Sequence, residues 1–89
     1  MRSVRRAIRF KKDVKMLIKR GKDMSKLKDI IALLSAGERL PSEYLDHQLK
    51  GTLKDCRECH LEPDWLLIYQ IAGHELCLMR TGKHTDLFE

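Results

Sequence analysis

From Ala7 onward apolar residues recur at helical spacing: Phe10, Val14, Leu17 and Ile18 stand at i, i+4, i+7 and i+8, one stripe among lysines. Gly21 follows as a C-terminal cap. Asp23 is placed to cap a second helix, in which Met24, Leu27, Ile31 and Leu34 share a face and Gly37 ends the run. The pattern predicts two antiparallel helices joined by a short turn, with a short strand over Arg2 to Arg6 before them. Residues Leu40 to Gly51 lose this periodicity. Pro41 and Gly51 punctuate them, and Tyr44, His47 and Leu49 are their bulky members, so an ordered loop is expected.

Beyond the loop the pattern is that of strands. Leu53 to Leu61 is moderately polar, and Pro63 with Asp64 turns the chain. Trp65-Leu66-Leu67-Ile68-Tyr69-Gln70-Ile71 is apolar on both faces, as suits a central strand. Gly73 marks the next turn, Glu75 to Thr81 a last strand, and Gly82 releases a tail, Lys83 to Glu89. Strand, two helices and a three-stranded meander make an α+β fold, with the two N-terminal helices packed on a small twisted, mainly antiparallel sheet.

At 89 residues the chain is expected to form one domain, residues 1–89. A hydrophobic content of 43% argues for a packed core, against a disordered chain. No apolar run approaches the roughly 20 residues of a membrane span. The basic start, Met1-Arg2-Ser3-Val4-Arg5-Arg6, is not followed by the apolar stretch of a signal peptide, so a cytoplasmic protein without membrane contact is expected. Eighteen Lys and Arg against thirteen Asp and Glu give a net charge of +5, which suits a polyanionic or acidic partner. Most of the basic residues lie between Arg2 and Lys28, while the C-terminal half is near neutral.

That half carries the candidate chemistry. Histidine moves protons well near neutral pH, and three of the four histidines, His47, His60 and His84, fall near strand ends or in loops. In an antiparallel meander the end of strand 53–61, the start of strand 65–71 and the end of the last strand at Arg80 meet at one sheet edge. This brings together His60, Asp64, Trp65 and Arg80, with His84 just beyond, and leaves His74 in a turn at the opposite edge. Plainer roles remain open for each: Trp65 in the core, Asp64 as a turn residue, Arg80 in a structural ion pair, Phe88 packed on the sheet.

The string Cys56-Arg57-Glu58-Cys59-His60 has the C-x-x-C-H form of a haem attachment site. Haem attachment normally requires export, and no signal segment is present. Cys56 and Cys59, three apart in a strand, also point to opposite faces, which opposes zinc binding with His60 and Cys77 as well. Neither a cofactor nor a metal is expected, and a disulfide is not expected with three cysteines in a reducing cytosol.

His47-Gln48-Leu49-Lys50-Gly51, the run from Arg57 to Tyr69 containing Glu58-Cys59-His60-Leu61-Glu62-Pro63-Asp64-Trp65, and the ending Arg80-Thr81-Gly82-Lys83-His84-Thr85-Asp86-Leu87-Phe88 resemble the YafQ branch of the RelE/ParE toxins. Lys12-Asp13-Val14-Lys15 and Lys22-Asp23-Met24-Ser25-Lys26-Leu27-Lys28 match as well. The resemblance covers nearly the whole chain except its first eight or so residues. It implies a RelE-like fold and the toxin of a type II toxin–antitoxin pair: a ribosome-dependent messenger-RNA endonuclease silenced by a DinJ/RelB-like antitoxin. It also implies an active site at His47, His60, Asp64, Trp65, Arg80, His84 and Phe88. The chemistry expected is metal-free, through the RNA 2′-hydroxyl. Arg80 would hold the phosphate and His84 would be the acid. His60, oriented by Asp64 or His47, would be the base, and Trp65 and Phe88 would offer stacking surfaces. The alternative is a ParE-like binding module that inhibits a target such as DNA gyrase without cutting RNA; that branch lacks this histidine set as a rule.

Overall fold

Strand β1 (Ser3–Arg6) leads into helices α1 (Ile8–Lys19) and α2 (Ser25–Ser35), and then come β2 (His47–Gln48), β3 (Arg57–Glu62), β4 (Trp65–Ala72), β5 (Glu75–Gly82) and α3 (His84–Phe88). This computed structural model describes residues 1–88; Glu89, the end of the predicted tail, lies outside the described residues. The five strands form one sheet in the order β1-β5-β4-β3-β2. β1 runs parallel to β5 and every other pair is antiparallel. The α+β class follows as expected.

The helices end where the glycines stand. Gly21 (φ +80°) and Gly37 (φ +78°) take the left-handed conformation that costs other residues energy. The next amides, of Lys22 and Glu38, donate back to the carbonyls of Leu17 and Leu33, which closes each helix end. Asp23 accepts the N–H and the hydroxyl of Ser25 at the entry to α2, and these bonds hold its carboxyl below the usual range. The core forms between the helices and one sheet face: Phe10, Leu17, Leu27, Ile30 and Leu34 meet Cys59, Leu67, Tyr69, Leu76 and Leu78. Burying each large side chain contributes roughly 1.5–3 kcal/mol. α2 is rotated slightly from the expected stripe, so Ile30 enters the core and Ile31 packs at its margin.

Three segments differ from the sequence pattern. The strand expected from Leu53 begins only at Arg57, because Gly51–Leu53 forms a 3-10 turn entered through Gly51 at φ +74°. The loop before it holds a 3-10 turn, Ser42–Tyr44, and the two residues of β2, which pair with β3. The tail after Gly82 is helix α3: Asp86 accepts the N–H of Lys83, and Asp64 accepts that of His84. Among the described residues no helix is long and apolar enough to cross a membrane.

Candidate active site

The face of the sheet away from α1 and α2 carries polar groups at regular register. His47 on β2 lies opposite Glu58 on β3, Glu58 opposite Ile68 on β4, and Ile68 opposite Arg80 on β5. The next row joins His60, Leu66 and Gly82. Directly paired residues share a face, so His47, Glu58, His60 and Arg80 all stand on this side. Simple alternation along β5 would have put Arg80 with Leu76 and Leu78 in the core. Tyr69 pairs with Leu78 while Ile68 pairs with Arg80, so Met79 is an extra residue, and this bulge turns Arg80 to the polar face.

The rings form a line. Centroid distances are 6.1 Å from His47 to His60, 6.2 Å from His60 to His84, and 5.7 Å from His84 to Phe88. Glu58, only 5% exposed, lies under its first half, with Oε1 3.3 Å from Nε2 of His60 and 3.6 Å from Nε2 of His47. The Nδ1–H of His47 donates to the Leu45 carbonyl at 2.7 Å, which fixes its tautomer and aims Nε2 at the site. Leu45 itself holds a left-handed backbone, φ +49°, a strained conformation for a branched side chain that places this carbonyl. Asp46, next in the chain, accepts from the Tyr69 hydroxyl (2.7 Å) and from Nε of Arg57 (3.2 Å), tying the loop to the sheet. Burial and Asp46 push the Tyr69 phenol well up.

At the other end Asp64 accepts the backbone N–H of His84 at 3.3 Å and stands 3.8 Å from its Nδ1. The carboxylate beside His60 is thus Glu58, which the sequence reading passed over, and Asp64 serves His84 instead of His60. Glu58 was legible in principle, since it stands two before His60 and shares its strand face. Arg80 is held by a forked pair with Asp13 of α1, at 2.7 and 3.1 Å, and donates to the Asp86 carbonyl at 3.3 Å. The Asp13 bonds push the Arg80 pKa further up, so it stays cationic. Arg80 thus has the structural ion pair that its sequence position left open.

Trp65 is a correction. It is 2% exposed, its indole N–H donates to the Thr81 hydroxyl, and the Lys22 ammonium covers its ring at 4.8 Å. No face is left for a base to stack on. Phe88, 44% exposed at the end of the ring line, does offer one. His74 lies in the turn at the far edge, as expected. The three cysteines are buried and free. Cys59 sits in the core, where burial lifts its thiol to about 12, so it is not the thiolate that a metal needs. A different set could hold a metal: the donor atoms of His47, Glu58 and His60 lie within 4.8 Å of one another.

A family model described as the bacterial toxin of type II toxin–antitoxin systems, YafQ, matches residues 2–89. The chain belongs to the YafQ toxin family. The mRNA interferase toxin YafQ of Escherichia coli K12 is 48% identical to it over 80 residues, which span 89% of this chain and 87% of that protein. A crystal structure of a copper-bound mutant toxin from Helicobacter pylori superposes with a TM-score of 0.95 at 40% identity, covering 99% of this chain and 100% of the other. YafQ in the crystallised E. coli DinJ–YafQ complex gives a TM-score of 0.91 at 43% identity, with both chains fully covered. The fold of this YafQ-family chain thus has solved counterparts.

Proposed function

We propose that this chain is an endoribonuclease that cuts messenger RNA on the ribosome in the cytoplasm, by acid–base chemistry that needs no metal. The observation that carries the reading is the ring line His47–His60–His84–Phe88, with Glu58 beside His60 and Asp64 beside His84. His60 takes the 2′-hydroxyl proton, and Glu58 stabilises the imidazolium that results. The freed 2′-oxygen attacks the adjacent phosphorus, and the bond to the 5′-oxygen breaks. His84, held by Asp64, gives that oxygen its proton. The products are a 2′,3′-cyclic phosphate and a 5′-hydroxyl. Arg80 offsets the charge that builds on the phosphate, and Phe88 stacks on a neighbouring base at about 1–3 kcal/mol. A positioned acid or base contributes about 10²–10⁴-fold. Expression of the chain is therefore expected to arrest growth and to leave translated messages cut at discrete sites. His84→Ala and Arg80→Ala should abolish both. Full toxicity in both variants would overturn the assignment, and intact messages with inhibited DNA supercoiling would favour the ParE-like module.

The partner is an antitoxin of the DinJ type. A groove of about 340 Å³ between α1 and α2, floored by Val14, Leu27 and Ile31 and edged by Lys11 and Lys28, suits an amphipathic segment with acidic flanks. Co-expression of a small acidic protein from the adjoining reading frame should restore growth.

A second reading has its own support. Two imidazoles and a carboxylate within 4.8 Å are a donor set for a divalent transition metal, and the H. pylori relative was solved with copper. A metal held by His47, Glu58 and His60 would occupy the base, so copper(II) should bind by calorimetry and inhibit cleavage. Both effects should vanish on chelation, and binding should vanish in His60→Ala. Copper binding unchanged in that variant would place the metal elsewhere.

A further inference from the structure

Arg80 also lines a groove of about 580 Å³ on this side of the sheet, and the cleavage step uses none of the other residues that form it. Its floor is apolar, formed by Cys56, Ile68 and the bulge residue Met79, and its far rim is Arg5, Arg6 and Arg9. Arg5 pairs in register with Cys77 of β5 and so stands on the same face as Arg80. Its nearest counter-charge is Glu75 at 4.0 Å, an exposed pair worth little. Among the described residues Arg6 and Arg9 form no ion pair. Ile8, between them, is 71% exposed. The first turn of α1 lies here too, with no acidic residue, and its positive end adds to the same field. Leu87 lines the groove from α3, between His84 and Phe88 in sequence, so the groove begins where the candidate site ends.

Arginines along a rim over an apolar floor match a chain with phosphates on one side and flat bases on the other. The volume lies within the range of about 300–1,000 Å³ common for ligand sites. We propose that this groove holds the RNA strand leading away from the cleaved bond, with Arg5 and Arg9 on its phosphates and Ile8 against a base. The proposal rests on the ribonuclease reading and extends it: the enzyme takes single-stranded RNA beyond the reacting nucleotides, and takes it by the backbone.

The test uses a labelled single-stranded RNA of about a dozen nucleotides and His84→Ala protein, which binds without cutting. Adding Arg5→Gln and Arg9→Gln should weaken binding roughly tenfold at low salt and lower the slope of log K against log salt by about 1.4, two contacts' worth. Lys15→Gln with Lys19→Gln, an equal charge loss on exposed positions of α1, should change affinity by less than about twofold. Ile8→Ser removes the exposed apolar side chain on the rim without changing charge and should also weaken binding. Equal losses from the arginine and lysine pairs, or no loss from the arginine pair, overturn the proposal. So does loss of binding to a polyglutamate peptide with RNA binding intact, which would assign the groove to an acidic protein. Cleavage of translated messages by the wild type is measured alongside. If it is absent the ribonuclease reading fails; if it is present and the arginine pair binds RNA normally, the groove alone fails.

Discussion

Two residues outside the expected site, Asp13 and Glu58, hold it in place. Asp13 comes from α1, yet its carboxylate takes both Arg80 nitrogens and the N–H of Thr81 at 3.1 Å. Thr81 lies past the point where β1 stops pairing with β5, so Asp13 satisfies an edge amide that would otherwise lack a strand partner. Hydrogen bonds to a charged group contribute about 1.5–3 kcal/mol, and this pair is mostly shielded, with side chains 13% and 19% exposed. Asp13→Ala is therefore expected to destabilise the protein by about 2–3 kcal/mol in urea unfolding. A loss below about 0.5 kcal/mol would mean the fork is ornamental. Glu58 is tested by charge alone: Glu58→Gln keeps its shape but cannot stabilise an imidazolium. Cleavage should fall at least about tenfold with the melting temperature nearly unchanged, since a carboxamide can still bond the rings. The place of Glu58 beside His60 follows from strand alternation, but the Asp13–Arg80 partnership could not be read from sequence. Asp13 stands 67 residues before Arg80, and only the packing of α1 across the sheet edge joins them.

Elements explain what was legible and what was not. The helix stripes, the glycine stops and the apolar central strand are local patterns with local causes, and the sheet edge carrying Asp64 and His84 follows from antiparallel connection alone. A bulge leaves no such trace. Met79 continues the alternation of β5, and only its pairing against Tyr69 and Ile68 reveals the extra residue. Helix α3 was equally hidden, because five residues cannot make a stable helix in isolation; it exists where Asp64 and Asp86 receive its first amides. Asp64 thus acts on both backbone and ring of His84. Removing it in Asp64→Ala should speed amide exchange across residues 84–88 and depress cleavage, while the rest of the fold keeps its protection. Asp64→Asn, which still accepts an N–H, should preserve α3 and lose activity only through the missing charge. Unchanged exchange in Asp64→Ala would show that α3 is held by Leu87 and Phe88 instead.

On the scale of the whole molecule, the two sheet faces divide the labour. One is sealed by α1 and α2 and carries the core; the other carries the ring line and the arginine groove. The sealed face makes a statement about pH. Cys59 is fully buried there and its thiol is lifted to about 12, mainly by loss of water. Cys56 and Cys77 are pushed up by burial as well. An unfolded thiol ionises near 8.5, so between about pH 9 and 12 the unfolded chain gives up a proton that the folded one keeps. The unfolded state then binds fewer protons, and stability falls with rising pH by up to about 1.4 kcal/mol per unit for each such group. Below pH 8 the term is fully present and flat. Tyr69, raised further still, adds a second loss that starts only above about pH 10. Urea unfolding of the wild type should therefore weaken from about pH 9, and Cys59→Ala, less stable at neutral pH, should lose much of that slope between pH 9 and 10. Parallel curves for the two proteins would mean that Cys59 ionises without unfolding the core, and that the helix face is open to water.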